Sequence, residues 1–228
     1  MERHLDEELK QINTNLLKMA ALVERAIHKS IEALENQDRE AAQKVITDDQ
    51  VIDEMEIQIE EQIIEVLALF QPMASDLRFI TTGMHINSEL ERIADLTENI
   101  CQRVLQTVNE PLLKPLVDIP KLAVHAKWMV KNSIDAFVKR DEGLAKEVIL
   151  SDKKSNDIRS SVMRELVYDY MVKDGKTAPR AIPLLLVTRD LERICDHAAS
   201  ISEDVIYMIQ AKMVKHHRER LLSIDIDE

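Results

Sequence analysis

Two stretches about a hundred residues apart carry almost the same sequence: Leu90-Glu91-Arg92-Ile93-Ala94-Asp95 and Leu191-Glu192-Arg193-Ile194-Cys195-Asp196, each followed by an isoleucine, Ile100 and Ile201. The correspondence continues upstream, where Ser30, Ile31, Ala33, Asp38, Ala42 and Asp49 recur as Ser133, Ile134, Ala136, Asp141, Ala145 and Asp152. A period of this length is domain-sized, so it predicts two similar halves packed together instead of an open solenoid. The offset falls from 103 (Asp49 to Asp152) to 101 (Glu91 to Glu192), so the second copy is two residues shorter. That difference is expected in a turn.

Three glycines, six prolines and 3% aromatics in 228 residues argue against strands and turn-rich sheets. Apolar residues return at three and four spacings from Leu16 through Met19, Val23, Ala26 and Ile27 to Leu34, and again through Val45, Ile52, Ile59, Ile63, Val66 and Leu67. The class is all-α: two tandem three-helix bundles of long antiparallel helices. Asp38 is placed to cap the second helix, which runs to Phe70, and Gln71-Pro72-Met73 makes the next turn. A third helix is expected over 75–106, a fourth over 121–139, a fifth over 142–172 and a sixth over 180–215. Pro111, Pro115 and Pro120 mark a linker, dividing the chain into a first repeat (1–110), a linker (111–120) and a second repeat (121–228). The acidic end from Ser223 is expected to fray.

A formal charge of −12 repels a phosphate backbone, so nucleic acid is not an expected partner. The run Lys215-His216-His217-Arg218 reads as helix-terminal cations. No run approaches the length of a membrane span and no signal-like segment opens the chain, so a cytoplasmic location is expected. Cys101 and Cys195 fall at non-equivalent positions and read as small buried hydrophobes. Met163, Met171, Met208 and Met213 read as core filling.

On a helical wheel Glu91, Asp95 and Glu98 share one stripe, more than 90° from the apolar stripe of Leu90, Ile93, Thr97, Ile100 and Val104. Glu192, Asp196 and Glu203 form the corresponding stripe in the second copy. Like charges at i and i+4 repel by a few tenths of a kcal/mol, so the helix gains nothing from the pairs alone. Their recurrence leaves two readings of equal weight, a bound cation or an ordinary solvated face partly neutralised by Arg92 and Arg193. An oxygen donor set suits iron, manganese, magnesium or calcium, with zinc less favoured where neither thiolate nor imidazole joins. The second helix adds Asp49, Asp53, Glu56 and Glu60, whereas the fifth retains Asp152 but has Asn156 and Arg159 where Asp53 and Glu56 stood. If these are ligands, the halves are unequal. There is no phosphate loop, no dinucleotide fingerprint and no Glu-x-x-His pair of the di-iron type. His197, beside Asp196 but about 100° off the carboxylate stripe, is a conceivable extra ligand and reads better as a surface or satisfied histidine.

The two Glu-Arg-Ile-x-Asp copies, the turn Gln71-Pro72-Met73-Ala74-Ser75-Asp76-Leu77-Arg78 and the break Asn36-Gln37-Asp38 together resemble the PhoU phosphate-uptake regulator family, over about 5–215. The resemblance implies two three-helix bundles with pseudo-twofold symmetry. It further implies a non-enzymatic role as negative regulator, linking the phosphate ABC transporter ATPase to a sensor histidine kinase at the membrane, as a homodimer that binds metal, iron clusters included. Carried onto this chain, the metal motif is Glu91 with Asp95 and Glu192 with Asp196, with Asp49, Asp53 and Asp152 as weaker candidates. The alternatives are a carboxylate-metal hydrolase or oxidase on a helical bundle and a metal-free interaction domain.

Overall fold

A computed structural model of the protein describes residues 2–212; the expectations for Met213, for Lys215 to Arg218 and for the acidic end lie outside that range. Six helices follow in order: α1 (Glu2–Asn36), α2 (Arg39–Phe70), α3 (Ala74–Thr107), α4 (Asp118–Lys139), α5 (Glu142–Arg164, continued by a π-helical stretch Glu165–Met171) and α6 (Ala178–Gln210). No strand forms among the described residues.

The first turn of each half is built the same way. Gln37 and Arg140 take left-handed backbone geometry (φ 50° and 51°). The next amide reaches back five residues, Asp38 to the Ala33 carbonyl and Asp141 to the Ala136 carbonyl, both at 2.9 Å. The same two aspartates then cap the following helices, accepting from the amides of Ala41 and Leu144 at 2.9 Å. Gln71, also left-handed (φ 47°), ends α2 ahead of Pro72.

Four boundaries differ from the sequence expectations, one of them the end of α6, which closes at Gln210 on a left-handed Ala211 (φ 57°) and not at 215. α4 begins at Asp118, because Pro120 sits in its first turn, where the missing amide hydrogen has no intrahelical acceptor to lose. α6 begins at Ala178 on the same principle, with Pro179 in its first turn. The fifth helix is not one regular α-helix: from Glu165 it widens into π geometry, closed by Val172 N–H to the Val167 carbonyl at 2.9 Å. The connection before the next helical element is three residues in each half, 71–73 and 172–174, so the two missing residues fall along the fifth helix and not in the turn. Lys114, in the linker, is nearly buried and pairs with Glu165 where the π geometry starts.

α3 and α6 lie antiparallel at the centre. Arg78 Nε donates to the Met208 carbonyl at 3.1 Å, covering the end of α6 with the start of α3, and Arg180 approaches Glu110 at 3.9 Å at the opposite end. The expected apolar stripe of α3 (Leu90, Ile93, Thr97, Ile100 and Val104) is buried throughout, and one continuous core joins both halves. Phe79 of α3 stacks on Phe137 of α4 with centroids 5.0 Å apart. Met208 is buried and Met171 packs against the core, but Met163 is 50% exposed and fills nothing, being turned outward where α5 has no neighbour to cover it. Leu90→Ala is expected to cost about 2–5 kcal/mol, because close packing on all sides limits collapse into the space left behind. Chemical denaturation measures it.

Candidate metal centre

Asp49 lies on the buried stripe of α2, four residues after Val45 and three before Ile52, and is only 7% exposed. Its position sends a carboxylate inward against α3. There it meets Asp95 and Glu98, and one oxygen from each of the three lies within 4.8 Å of the others. Asp49 Oδ1 is buried with no hydrogen-bond partner. A buried carboxylate oxygen left this way costs stability unless a cation or proton joins it.

The electrostatics are consistent across the cluster. Burial, then the charges of Asp53, Glu98, Asp95 and Glu91, push the Asp49 carboxyl up from 3.8 to about 7. Burial, then Asp95, Glu56 and Asp53, pushes Glu91 up to about 7 as well, against a lowering influence from Arg92. Asp95 and Glu56 are raised too, each first by burial and then by their acidic neighbours. Cys101, fully buried, is pushed up to about 12 by burial and by Glu98 and Asp49, so it stays a thiol. Asn87 continues the stripe one turn before Glu91, donating to the Glu56 carbonyl at 2.9 Å and leaving its own buried Oδ1 without a partner.

Among the residues singled out in sequence, Asp49 and Asp95 meet in the three-carboxylate cluster, while Glu91 and Asp53 stand beside it, within reach of its field. Glu98 completes the cluster. It was legible as the third acid of the α3 stripe but falls outside the repeated Glu-x-x-x-Asp pair.

The second half is built differently. Asp152 is also buried, but its carboxylate accepts from Ser155 Oγ at 3.0 Å and faces the Asn156 amide at 3.4 Å. Arg159 Nε lies 3.8 Å from Glu192, whose carboxyl is raised by burial and Asp196 and lowered by Arg159. Glu98 has no counterpart, since its equivalent, 101 positions on, is the buried Ala199. Here the protein's own donors and a guanidinium answer the charge that the first half leaves open. Cys195 is buried and its thiol is pushed strongly up, first by burial and then by Asp152. His197 Nδ1 lies 2.6 Å from Glu89 Oε2, a satisfied histidine across the α3–α6 contact.

The first-half donor set is all oxygen, carries several negative charges and includes an unsatisfied buried atom, which fits a hard or borderline cation.

The PhoU domain matches the chain twice, over residues 16–104 and 119–205. A phosphate-specific transport system accessory protein PhoU homolog of Aquifex aeolicus is 41% identical over 212 residues, covering 93% of this chain and 96% of that one. The corresponding protein of Escherichia coli is 32% identical, covering 92% and 86%. The fold is that of the crystal structure of PhoU from Pseudomonas aeruginosa (34% identity, TM-score 0.87, 91% of this chain and 99% of that one). It is equally that of the phosphate transport system regulatory protein PhoU from Streptococcus pneumoniae (27%, TM-score 0.85, 92% and 99%). These relatives are named as transport accessory and regulatory proteins, not enzymes. With both halves matched and the whole six-helix architecture shared, this chain belongs to the PhoU family of phosphate-transport regulators.

Proposed function

We propose that this protein is a cytoplasmic negative regulator of phosphate-starvation signalling, an adaptor between the phosphate ABC transporter ATPase and a sensor histidine kinase, with a cation held in its first half. The observation that carries the cation is the buried, partnerless Asp49 Oδ1 facing Asp95 and Glu98. A divalent or trivalent ion such as manganese, iron, magnesium or calcium would draw on these three carboxylates, with Glu91 and Asp53 beside them, and would offset the charge that burial makes costly. Zinc is the less favoured ion because Cys101 stays protonated. The second-half acids Glu192, Asp196 and Asp152 are not assigned a full cluster, since Arg159, Asn156 and Ser155 already serve part of that group.

The adaptor role rests on the family and on a surface suited to partners. No described helix is long and apolar enough to cross a membrane, so contact with the transporter or kinase would be peripheral. Val51, Ile57, Ile64 and Leu69 stand exposed along α2, with Leu17 on α1. Apolar residues exposed on a helix face are the raw material of protein contacts, whether with the transporter, the kinase or a second copy in a homodimer.

The test is alkaline phosphatase reporter activity in phosphate-replete cells lacking the gene. High activity, returned to low by the intact gene and not by an Asp49→Asn/Asp95→Asn variant, is the expected outcome. Low activity in the deletion strain would contradict the negative role.

A further inference from the structure

The cleft between α1 and α2, about 330 Å³, has Asp49 at its boundary and is lined from α1 by Arg25 and Lys29 and from α2 by Lys44 and Asp48. On a chain of net charge −12, three cations converging on one cavity are out of keeping with the average surface. Arg25 and Lys29 are like charges at i and i+4, an arrangement that costs a helix a few tenths of a kcal/mol unless something negative lies between them. Lys29 reaches Asp48 only loosely, at 3.9 Å, and neither Arg25 nor Lys44 has an ion-pair partner among the described residues.

The repeat supplies an internal control. Moving 103 positions on, Arg25 becomes Trp128, Lys29 becomes Asn132, Lys44 becomes Glu147 and Asp48 becomes Ser151. The equivalent cleft of the second half, about 350 Å³, is lined by His125, Trp128 and Ser151 and by two lysines at other positions, Lys121 in the place of Lys18, held by Asp118 at 3.0 Å, and Lys154 in the place of Val51. So the half that has the open carboxylate cluster also has the three cleft cations, and the half that neutralises its carboxylates internally has none of them. Asp49 is the one residue that belongs to both features.

We infer that the α1–α2 cleft is a phosphate site, in which Arg25, Lys29 and Lys44 hold a tetrahedral oxyanion, Asp48 accepts the proton of its P–OH, and occupancy is linked through Asp49 to the neighbouring cation. Arginine and lysine donors supply charge-assisted bonds to phosphate oxygens. A carboxylate among them is a poor companion for an anion with no proton to give, and a good one for hydrogen phosphate, so Asp48 favours phosphate over sulfate. The linkage, which rests on the cation proposed above, has a definite sign: a cation at Asp49 cancels the negative field facing the oxyanion, so each ligand tightens the other by the same factor.

Calorimetric titration of inorganic phosphate into the full chain, stripped of metal and again with Mn²⁺ present, tests this. One saturable site per chain is expected, roughly tenfold tighter with Mn²⁺ and at least about tenfold tighter for phosphate than for sulfate. Arg25→Gln/Lys44→Gln should weaken phosphate about tenfold or more without weakening Mn²⁺, measured in the absence of phosphate, since removing cleft cations lowers the repulsion on a cation at Asp49; both side chains are exposed, so the fold is not at risk. Asp48→Asn should erase most of the discrimination against sulfate. Glycerol phosphate titrated alongside tells free phosphate from an esterified source. No saturable phosphate binding, sulfate binding as tight as phosphate, or a double variant that binds normally would overturn the site. Phosphate binding without any Mn²⁺ binding would leave the cleft standing and overturn the cation and its linkage.

Discussion

Metal-stripped Asp49→Asn protein is expected to be more stable than the parent by about 2 kcal/mol at pH 8, with the difference vanishing near pH 4. The Asp49 carboxyl titrates near 3.8 in the unfolded chain and at about 7 in the folded one. A group raised on folding contributes nothing adverse while both states are protonated. Between about pH 4 and 7 the unfolded chain is ionised and the folded one is not, so stability falls as pH rises, then levels off above 7. At about 1.4 kcal/mol per pH unit the loss has a ceiling near 4 kcal/mol, and solvent access to the exposed Asp95 beside it reduces the figure to about half. Asparagine has the same shape and no charge to desolvate. Saturating Mn²⁺ reverses the order, because an ion held by the folded state alone at a hundred times its dissociation constant adds about 2.7 kcal/mol to the parent and little to the variant. Urea denaturation across this pH range, with and without the ion, measures both effects; a difference that does not change with pH would mean Asp49 is not the group responsible.

Asp95→Asn/Glu98→Gln should abolish metal retention, whereas Asp196→Asn should leave it unchanged. Loss of a residue that merely orients a ligand already costs 10- to 100-fold in affinity, so removal of two of the three clustered carboxylates should exceed about 100-fold. In the second half, Arg159 beside Glu192, Asn156 and Ser155 at Asp152, and Ala199 in place of Glu98 leave a cation both fewer donors and a competing guanidinium. Equilibrium dialysis with elemental analysis of the dialysed protein gives the stoichiometry. A halved metal content in Asp196→Asn would show that the second half binds after all.

Part of this centre is visible in the linear sequence. Glu91, Asp95 and Glu98 follow from 100° per residue on α3, and Asp49 interrupts the apolar spacing of α2 between Val45 and Ile52. An acid on the buried stripe of a helix is the stronger of the two signals, since burial is costly unless something answers its charge. Glu98 drops out when attention rests on the repeated Glu-x-x-x-Asp pair, because its counterpart is an alanine. That very difference is what separates the halves.

The order of helices, the apolar stripes, the Asp38 and Asp141 caps and the duplicated plan are local consequences of spacing and backbone chemistry, and so were fixed before any packing was known. Which acids meet depends on how α2 lies against α3, and that is set by the core that both helices share. The antiparallel seating of α3 on α6 and the convergence of Arg25, Lys29 and Lys44 on a cleft that ends at Asp49 likewise join residues that no helical period relates. Periodicity tells which way a side chain faces on its own helix. Only packing decides what faces it from the next.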